Sequence, residues 1–232
     1  TNGMAVKCAG NWTQTGTFTP ATFLVTFDGT TAQSIDREST SDFYSVTIAN
    51  TSAVVTYLDN SLDTFNTAGT VTVNANASFT IQDTFDPTTL TLANTATLRL
   101  EGAVTDMGAT FTVNQSTVVY AGTVSVNQTL HTQESDAGAI SYYKLTVANT
   151  GTSTATTSPT TGTLTVTNAL RIEDDGVLAV DSTYDNDATL TMVGNARLHL
   201  RGAITDDASE LGTAVTPGSG TIYYEDDANQ YK

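Results

Sequence analysis

The chain has 232 residues, of which 24 are acidic and 8 are basic, giving a formal net charge of −16. This charge disfavours nucleic acid and anionic membrane surfaces as partners, because both require basic patches. Hydrophobic residues make up 39% of the chain, which is enough for a sizeable core and argues against general disorder. Threonine, whose branched Cβ favours strands, occurs 49 times, and no segment has apolar residues at helical spacing. The composition therefore predicts an all-β protein.

Short segments of alternating apolar and polar residues follow one another along the whole chain. Alternation at period two is typical of strands with one buried face, and the Asn, Asp, Gly and Ser residues between the segments favour turns. No apolar segment approaches the length of a membrane span. The predicted strands are FLVTF (23–27), YSVTI (44–48), VVTYL (54–58), TVTV (70–73), SFTI (78–81), LTL (90–92), LRL (98–100), TVVY (117–120), VSV (124–126), LTVT (164–167), VLAV (177–180) and LHL (198–200).

Several of these strands belong to a long internal repeat. YSVTIANT at 44–51 returns as YKLTVANT at 143–150, and LTLANTATLRLEGAVTD at 90–106 returns as LTMVGNARLHLRGAITD at 190–206. Gly10, Gly102 and Gly202 occupy equivalent positions in the alignment of the repeats. The pattern divides the chain into repeats at about 1–94 and 95–194 with a partial third repeat at 195–232.

Two folds fit this pattern. Very short strands separated by one or two turn residues favour a right-handed parallel β-helix, or β-solenoid, in which each strand pairs with the previous coil. We predict one continuous solenoid over residues 1–232. The alternative is a tandem array of immunoglobulin-like β-sandwiches of about 100 residues each.

The segments GNWTQTGTFTPATFLVTFDGTTAQSI (10–35), FYSVTIANT (43–51) and GTVTVNANASFTI (69–81) resemble Thr/Asn-rich repeat regions of large bacterial and archaeal cell-surface proteins of the adhesin and S-layer type. The resemblance implies a parallel β-helix that serves as a stalk, coat or adhesin outside the cell. The segment LTVANTGTSTATTSPTTGTLTV (145–166) also resembles immunoglobulin-like surface repeats, which keeps the sandwich open.

Candidate chemistry is sparse. Asp181, Asp185 and Asp187 could supply oxygen ligands to Ca²⁺, although DNDA, like EDDG at 173–176, is also an ordinary turn sequence. The alternation in LHL places His199 on the outer face of its strand, and Cys8 has no second cysteine for a disulfide or a zinc site. No nucleophile motif or phosphate loop occurs, so we predict neither an enzyme nor a required cofactor.

The favoured function is a structural segment of a secreted or cell-surface repeat protein, working as a rod, coat or filament. Open solenoid ends expose unpaired strand edges, so we expect head-to-tail self-association. The alternatives are an adhesin that binds glycans or a host surface and, less favoured, a polysaccharide-acting β-helix enzyme. Thr-x-Thr segments are frequent but do not recur at one fixed interval, which disfavours the regular array that an ice-binding surface needs.

Overall fold

The computed structural model describes residues 5–19, 21–37, 42–58, 64–123, 127–134, 138–151, 153–157, 162–202 and 211–225. All regular secondary structure in these residues is β, as the composition predicts. The predicted strand at 124–126 lies outside the described residues. The strands are β1 (Ala5–Cys8), β2 (Trp12–Gln14), β3 (Leu24–Phe27), β4 (Gln33–Arg37), β5 (Ser45–Ile48), β6 (Val55–Tyr57), β7 (Phe65–Val73), β8 (Ser78–Ile81), β9 (Phe85–Leu92), β10 (Thr97–Leu100), β11 (Thr110–Val113), β12 (Thr117–Tyr120), β13 (Gln128–Leu130), β14 (Gln133–Glu134), β15 (Gly138–Ala139), β16 (Ser141–Val147), β17 (Ala155–Thr157), β18 (Thr163–Ile172), β19 (Val177–Val180), β20 (Thr183–Asn186), β21 (Thr189–Met192), β22 (Arg197–Leu200), β23 (Ala214–Thr216) and β24 (Thr221–Tyr224).

The chain forms two compact units, Thr1–Thr117 and Val118–Lys232. In the first unit, successive strands alternate between two parallel sheets, with the orders β1-β3-β5-β7-β9-β11 and β2-β4-β6-β8-β10. Each turn of the chain thus adds one strand to each sheet, which is the arrangement of a β-solenoid. The solenoid prediction is confirmed, while its continuity over residues 1–232 stays a prediction.

The second unit repeats this arrangement within itself. Its sheets have the orders β12-β16-β18-β21-β23, with β20 also paired to β18, and β13-β17-β19-β22-β24. The order β12-β16-β18-β21-β23 corresponds to β3-β5-β7-β9-β11 of the first unit, strand by strand along the sequence repeat. A short antiparallel pair, β14 and β15, interrupts the coils. The sequence repeat therefore reflects a repeated pattern of strand pairing.

The immunoglobulin-like sandwich is wrong for this chain. Strands adjacent in a sandwich pair antiparallel, whereas β3 pairs with β5 in parallel and β18 pairs with β21 in parallel. Among the described strand pairs, β14–β15 alone is antiparallel. Most strands are short, because each coil needs only a few residues on each side of its core. The predicted strands TVTV, LTL and LTVT are longer than expected, since they belong to β7, β9 and β18 with 9, 8 and 10 residues.

The core lies between the sheets and follows the predicted alternation. In β5, Val46 and Ile48 are fully buried while Ser45 and Thr47 face outward. Aromatic side chains fill the first unit: the ring of Phe65 lies 5.3 Å from that of Phe79 and 6.0 Å from that of Phe85, measured between centroids. These contacts link neighbouring coils within the core.

Several strands are joined by tight turns that contain Asn, Gly or Ala. The amide of Ala77 donates to the carbonyl of Asn74, and the amide of Ala196 donates to the carbonyl of Val193, each closing a four-residue turn. In these turns one residue takes a left-handed conformation: Asn76 has φ of 61°, Asp175 has φ of 60° and Gly194 has φ of 53°. Asn and Asp tolerate this conformation better than other non-glycine residues.

The repeated phrase YSVTIANT carries a buried asparagine as its seventh residue, Asn50 in the first copy and Asn149 in the second. Asn50 Nδ2 donates to the carbonyl of Thr31 at 2.7 Å, and its Oδ1 accepts from the amide of Ala53 at 3.0 Å. In the second unit, Asn149 Nδ2 donates to the carbonyl of Ser153 at 2.8 Å, and its Oδ1 accepts from the amide of Val177 at 3.1 Å. Both asparagines satisfy backbone groups where the chain leaves a strand, so the phrase recurs because each repeat has this buried corner.

Candidate functional site

The outermost described coil of the second unit exposes side chains at core positions. Val215 on β23 is in register with Leu190, and Tyr224 on β24 is in register with Leu200. Leu190 and Leu200 are buried, whereas Val215 is 40% exposed and Tyr224 is 53% exposed. Within the described residues, β23 and β24 are paired on one side only. This surface, Val215, Ile222 and Tyr224, is called the open coil.

The open coil combines two properties of an association surface. Its apolar side chains continue the column that packs the core of the unit. Among the described strands, none pairs with the outer edges of β23 and β24, so these edges present backbone N–H and C=O groups. The repeat predicts a strand at this position, because TIYY at 221–224 aligns with the predicted strand TVVY at 117–120. The sequence does not indicate how much of each side chain is exposed.

The structure does not assemble the predicted calcium ligands. Asp181 Oδ1 lies 3.5 Å from Nη1 of Arg201. Asp185 faces outward on β20, in register with Thr165, and Asp187 is exposed just after that strand. In the part of the chain that the structure describes, no three His, Cys, Asp or Glu side chains are grouped to hold a metal ion.

The EDDG segment at 173–176 is a turn, as its composition indicates. Glu173 pairs with Arg171 at 2.6 Å, and Asp174 Oδ1 accepts a hydrogen bond from the amide of Asn195 in the next coil at 2.8 Å. The amide of Gly176 donates to the carbonyl of Glu173 and closes the turn. These carboxylates therefore stabilise the turn and its neighbour.

His199 lies on the outer face of β22, between the buried Leu198 and Leu200, as the alternation predicts. Its ring stacks on Tyr223 with the centroids 4.5 Å apart, and its Nδ1 lies 2.6 Å from Glu225 Oε1. Arg201 Nε donates to Glu225 Oε2 at 2.7 Å. The sequence does not indicate these contacts, because Tyr223 and Glu225 belong to the following coil.

The cluster of His199, Arg201 and Glu225 is electrostatically matched. Hydrogen bonds from Arg201 and then from His199 lower the pKa of the Glu225 carboxyl. The same carboxylate raises the pKa of Arg201. The two groups therefore stay ionised near neutral pH and tie β24 to β22, and a carboxylate held ionised in this way is a poor general acid.

Comparison of the chain with protein-family models, curated proteins and solved structures finds no significant match. The described residues include no helical segment with the length and apolar character of a membrane span.

Proposed function

We propose that this chain is a structural segment of a larger secreted or cell-surface repeat protein, and that its open coil stacks on the first coil of a second copy. The observation that supports the proposal is the exposure of Val215 and Tyr224 at positions where the preceding coil buries Leu190 and Leu200. A further parallel coil would cover these side chains and pair the exposed backbone groups.

The first coil of another copy has matching features. β1 pairs only with β3 and β2 pairs only with β4 among the described strands, so each has an unpaired edge. A contact between two different surfaces does not close on itself and extends with each added copy, which makes a filament. The 8 Lys and Arg residues leave trypsin-like proteases few cleavage sites, which suits a protein outside the cell.

Paired lysine substitutions on β23 test the stacking. Val215 is in register with the buried Leu190, while its neighbour Thr216 is in register with the outward-facing Thr191. Val215→Lys would place a charge between the stacked coils, where burial of an unpaired charge is costly. Thr216→Lys adds the same charge to the outer face of the same strand.

The mass of each protein would be measured by light scattering over a range of concentrations, with electron microscopy of the same samples. We expect the unmodified chain and Thr216→Lys to form longer filaments as the protein concentration rises. We expect Val215→Lys to remain a monomer with an unchanged circular dichroism spectrum. A monomeric unmodified chain at every concentration, or equal assembly of both lysine variants, would contradict the proposal.

A further inference from the structure

The outer face of one sheet in the first unit carries threonines in direct register. Along the strands β3, β5, β7, β9 and β11, one outward position is threonine in every strand, and the position two residues earlier is threonine in the last three of them. These eight residues are called the threonine face. They are Thr26, Thr47, Thr72, Thr91 and Thr112 in one column and Thr70, Thr89 and Thr110 in the other.

This arrangement overturns the expectation from the sequence that no regular array forms. In the first column the intervals along the chain are 21, 25, 19 and 21 residues (47 − 26, 72 − 47, 91 − 72 and 112 − 91). The loops absorb these differences in length, and each strand returns to the same register. The spacing is therefore irregular in sequence and regular in space.

The face repeats in two directions. Neighbouring parallel strands lie about 4.8 Å apart, and residues i and i+2 of one strand lie roughly 6.7 Å apart. Between the two columns the chain buries Val25, Val46, Val71 and Leu90 completely, which anchors each strand to the core. The branched Cβ of threonine restricts rotation about χ1, so the hydroxyl and methyl groups keep a fixed orientation.

The chemistry of the face is uniform. Its eight side chains are half-buried or exposed, and their hydroxyl groups have no hydrogen-bonding partner among the described residues. Each hydroxyl can donate one hydrogen bond and accept two. The equivalent column of the second unit runs Thr146, Arg171, Thr191 and Thr216, where Arg171 and its partner Glu173 interrupt the threonines with charge. In the first unit the charged residue in register with the first column, Lys7 of β1, lies at the edge of the array, beside Thr26, and pairs with Asp28. No charged residue therefore interrupts the eight threonines of the first unit.

We propose that the threonine face binds ice. Both repeats of the array are of the size of the oxygen–oxygen repeats in hexagonal ice, so hydroxyls can hydrogen-bond ordered water while the methyl groups limit competing orientations. A crystalline polysaccharide, which also has a regular surface, is a weaker candidate because sugar rings stack on aromatic side chains, and the outward positions of β3, β5, β7, β9 and β11 carry none. This activity does not depend on the stacking of copies.

A large side chain in the middle of the array tests the proposal. Thr72 lies in the central strand of the first column, between Thr47 and Thr91. In Thr72→Tyr the larger side chain would project beyond the surrounding threonines and keep an ice surface from reaching their hydroxyl groups. The matched control is Thr56→Tyr, because Thr56 also faces outward from the middle of a sheet in the same unit, between Ser34 and Thr80.

Two measurements apply to each protein: its incorporation into a slowly growing ice hemisphere, and the gap between melting and freezing temperatures of a seeded sample. We expect the unmodified chain and Thr56→Tyr to enter the ice and to lower the freezing point, and Thr72→Tyr to lose most of both effects. Circular dichroism and urea midpoints would establish that both variants are folded.

Exclusion of the folded, unmodified chain from ice would overturn the proposal, as would an equal effect of the two tyrosine substitutions. Binding to crystalline cellulose or chitin that Thr72→Tyr abolishes, in a protein that ice excludes, would assign the face to a polysaccharide instead.

Discussion

Replacing Asn149 by alanine should destabilise the second unit strongly. Asn149 is fully buried, and its amide donates to the carbonyls of Ser153 and Val177 and accepts from the amide of Val177. Alanine would leave these buried groups without that partner. A buried polar group that loses its hydrogen bond costs about 1–3 kcal/mol, so two or three such groups give an expected loss of roughly 2–5 kcal/mol.

The matched control is Asn127→Ala in the same unit. Asn127 is exposed, and its Oδ1 accepts one hydrogen bond from the amide of Thr154 at 3.1 Å. Water can replace that bond, so the expected loss is at most about 1 kcal/mol. Urea unfolding followed by circular dichroism would give the midpoint and slope for each protein. If Asn149→Ala shifts the midpoint no more than Asn127→Ala does, the buried corner is not what the repeated phrase encodes.

Three further predictions concern backbone contact and pH. Gly102→Ala should lower the free energy of unfolding by about 1–3 kcal/mol or more, because the new Cβ would lie 2.1 Å from the carbonyl oxygen of Asp83. Gly10→Ala is the control and should leave thermal unfolding nearly unchanged, because no atom lies within 4 Å of its new Cβ. Burial raises the pKa of the Tyr184 hydroxyl in the folded protein above the value of about 10 that it has in the unfolded chain. The contribution of Tyr184 to the free energy of unfolding is therefore complete below about pH 10 and is lost as the pH rises above that value. Tyr184→Phe should therefore flatten the fall in unfolding free energy between about pH 10 and 12, and an unchanged slope would refute this. Arg201 and His199 lower the pKa of the Glu225 carboxyl in the folded protein below the value of about 4.3 that it has in the unfolded chain. The contribution of Glu225 to the free energy of unfolding is therefore present above about pH 4.3 and is lost as the pH falls through the lower pKa of the folded state. Acid titration of Glu225→Gln should show a shallower loss of stability than the unmodified chain below about pH 4, and equal curves would count against the pairing.

The sequence by itself determined the local structure of this protein. Alternation at period two placed Val46 and Ile48 inside and Thr47 outside, since successive side chains of a strand point to opposite faces. The equivalence of Gly102 and Gly202 also came from the repeat. The structure adds the reason, because a Cβ at Gly202 would lie 2.0 Å from the carbonyl oxygen of Ser182 in the previous coil, as one at Gly102 would meet Asp83.

Only the tertiary structure decided which surfaces these strands build together. The aspartates 181, 185 and 187 are close in sequence and share one parity, yet among the described residues they belong to no metal-binding group, and Asp181 pairs with Arg201 of a later strand. Thr47 and Thr72 are 25 residues apart yet adjacent in the sheet. Burial of one face fixes the register of each strand, while the length of the loop before it is free to vary, so a regular threonine array can arise from irregular spacing.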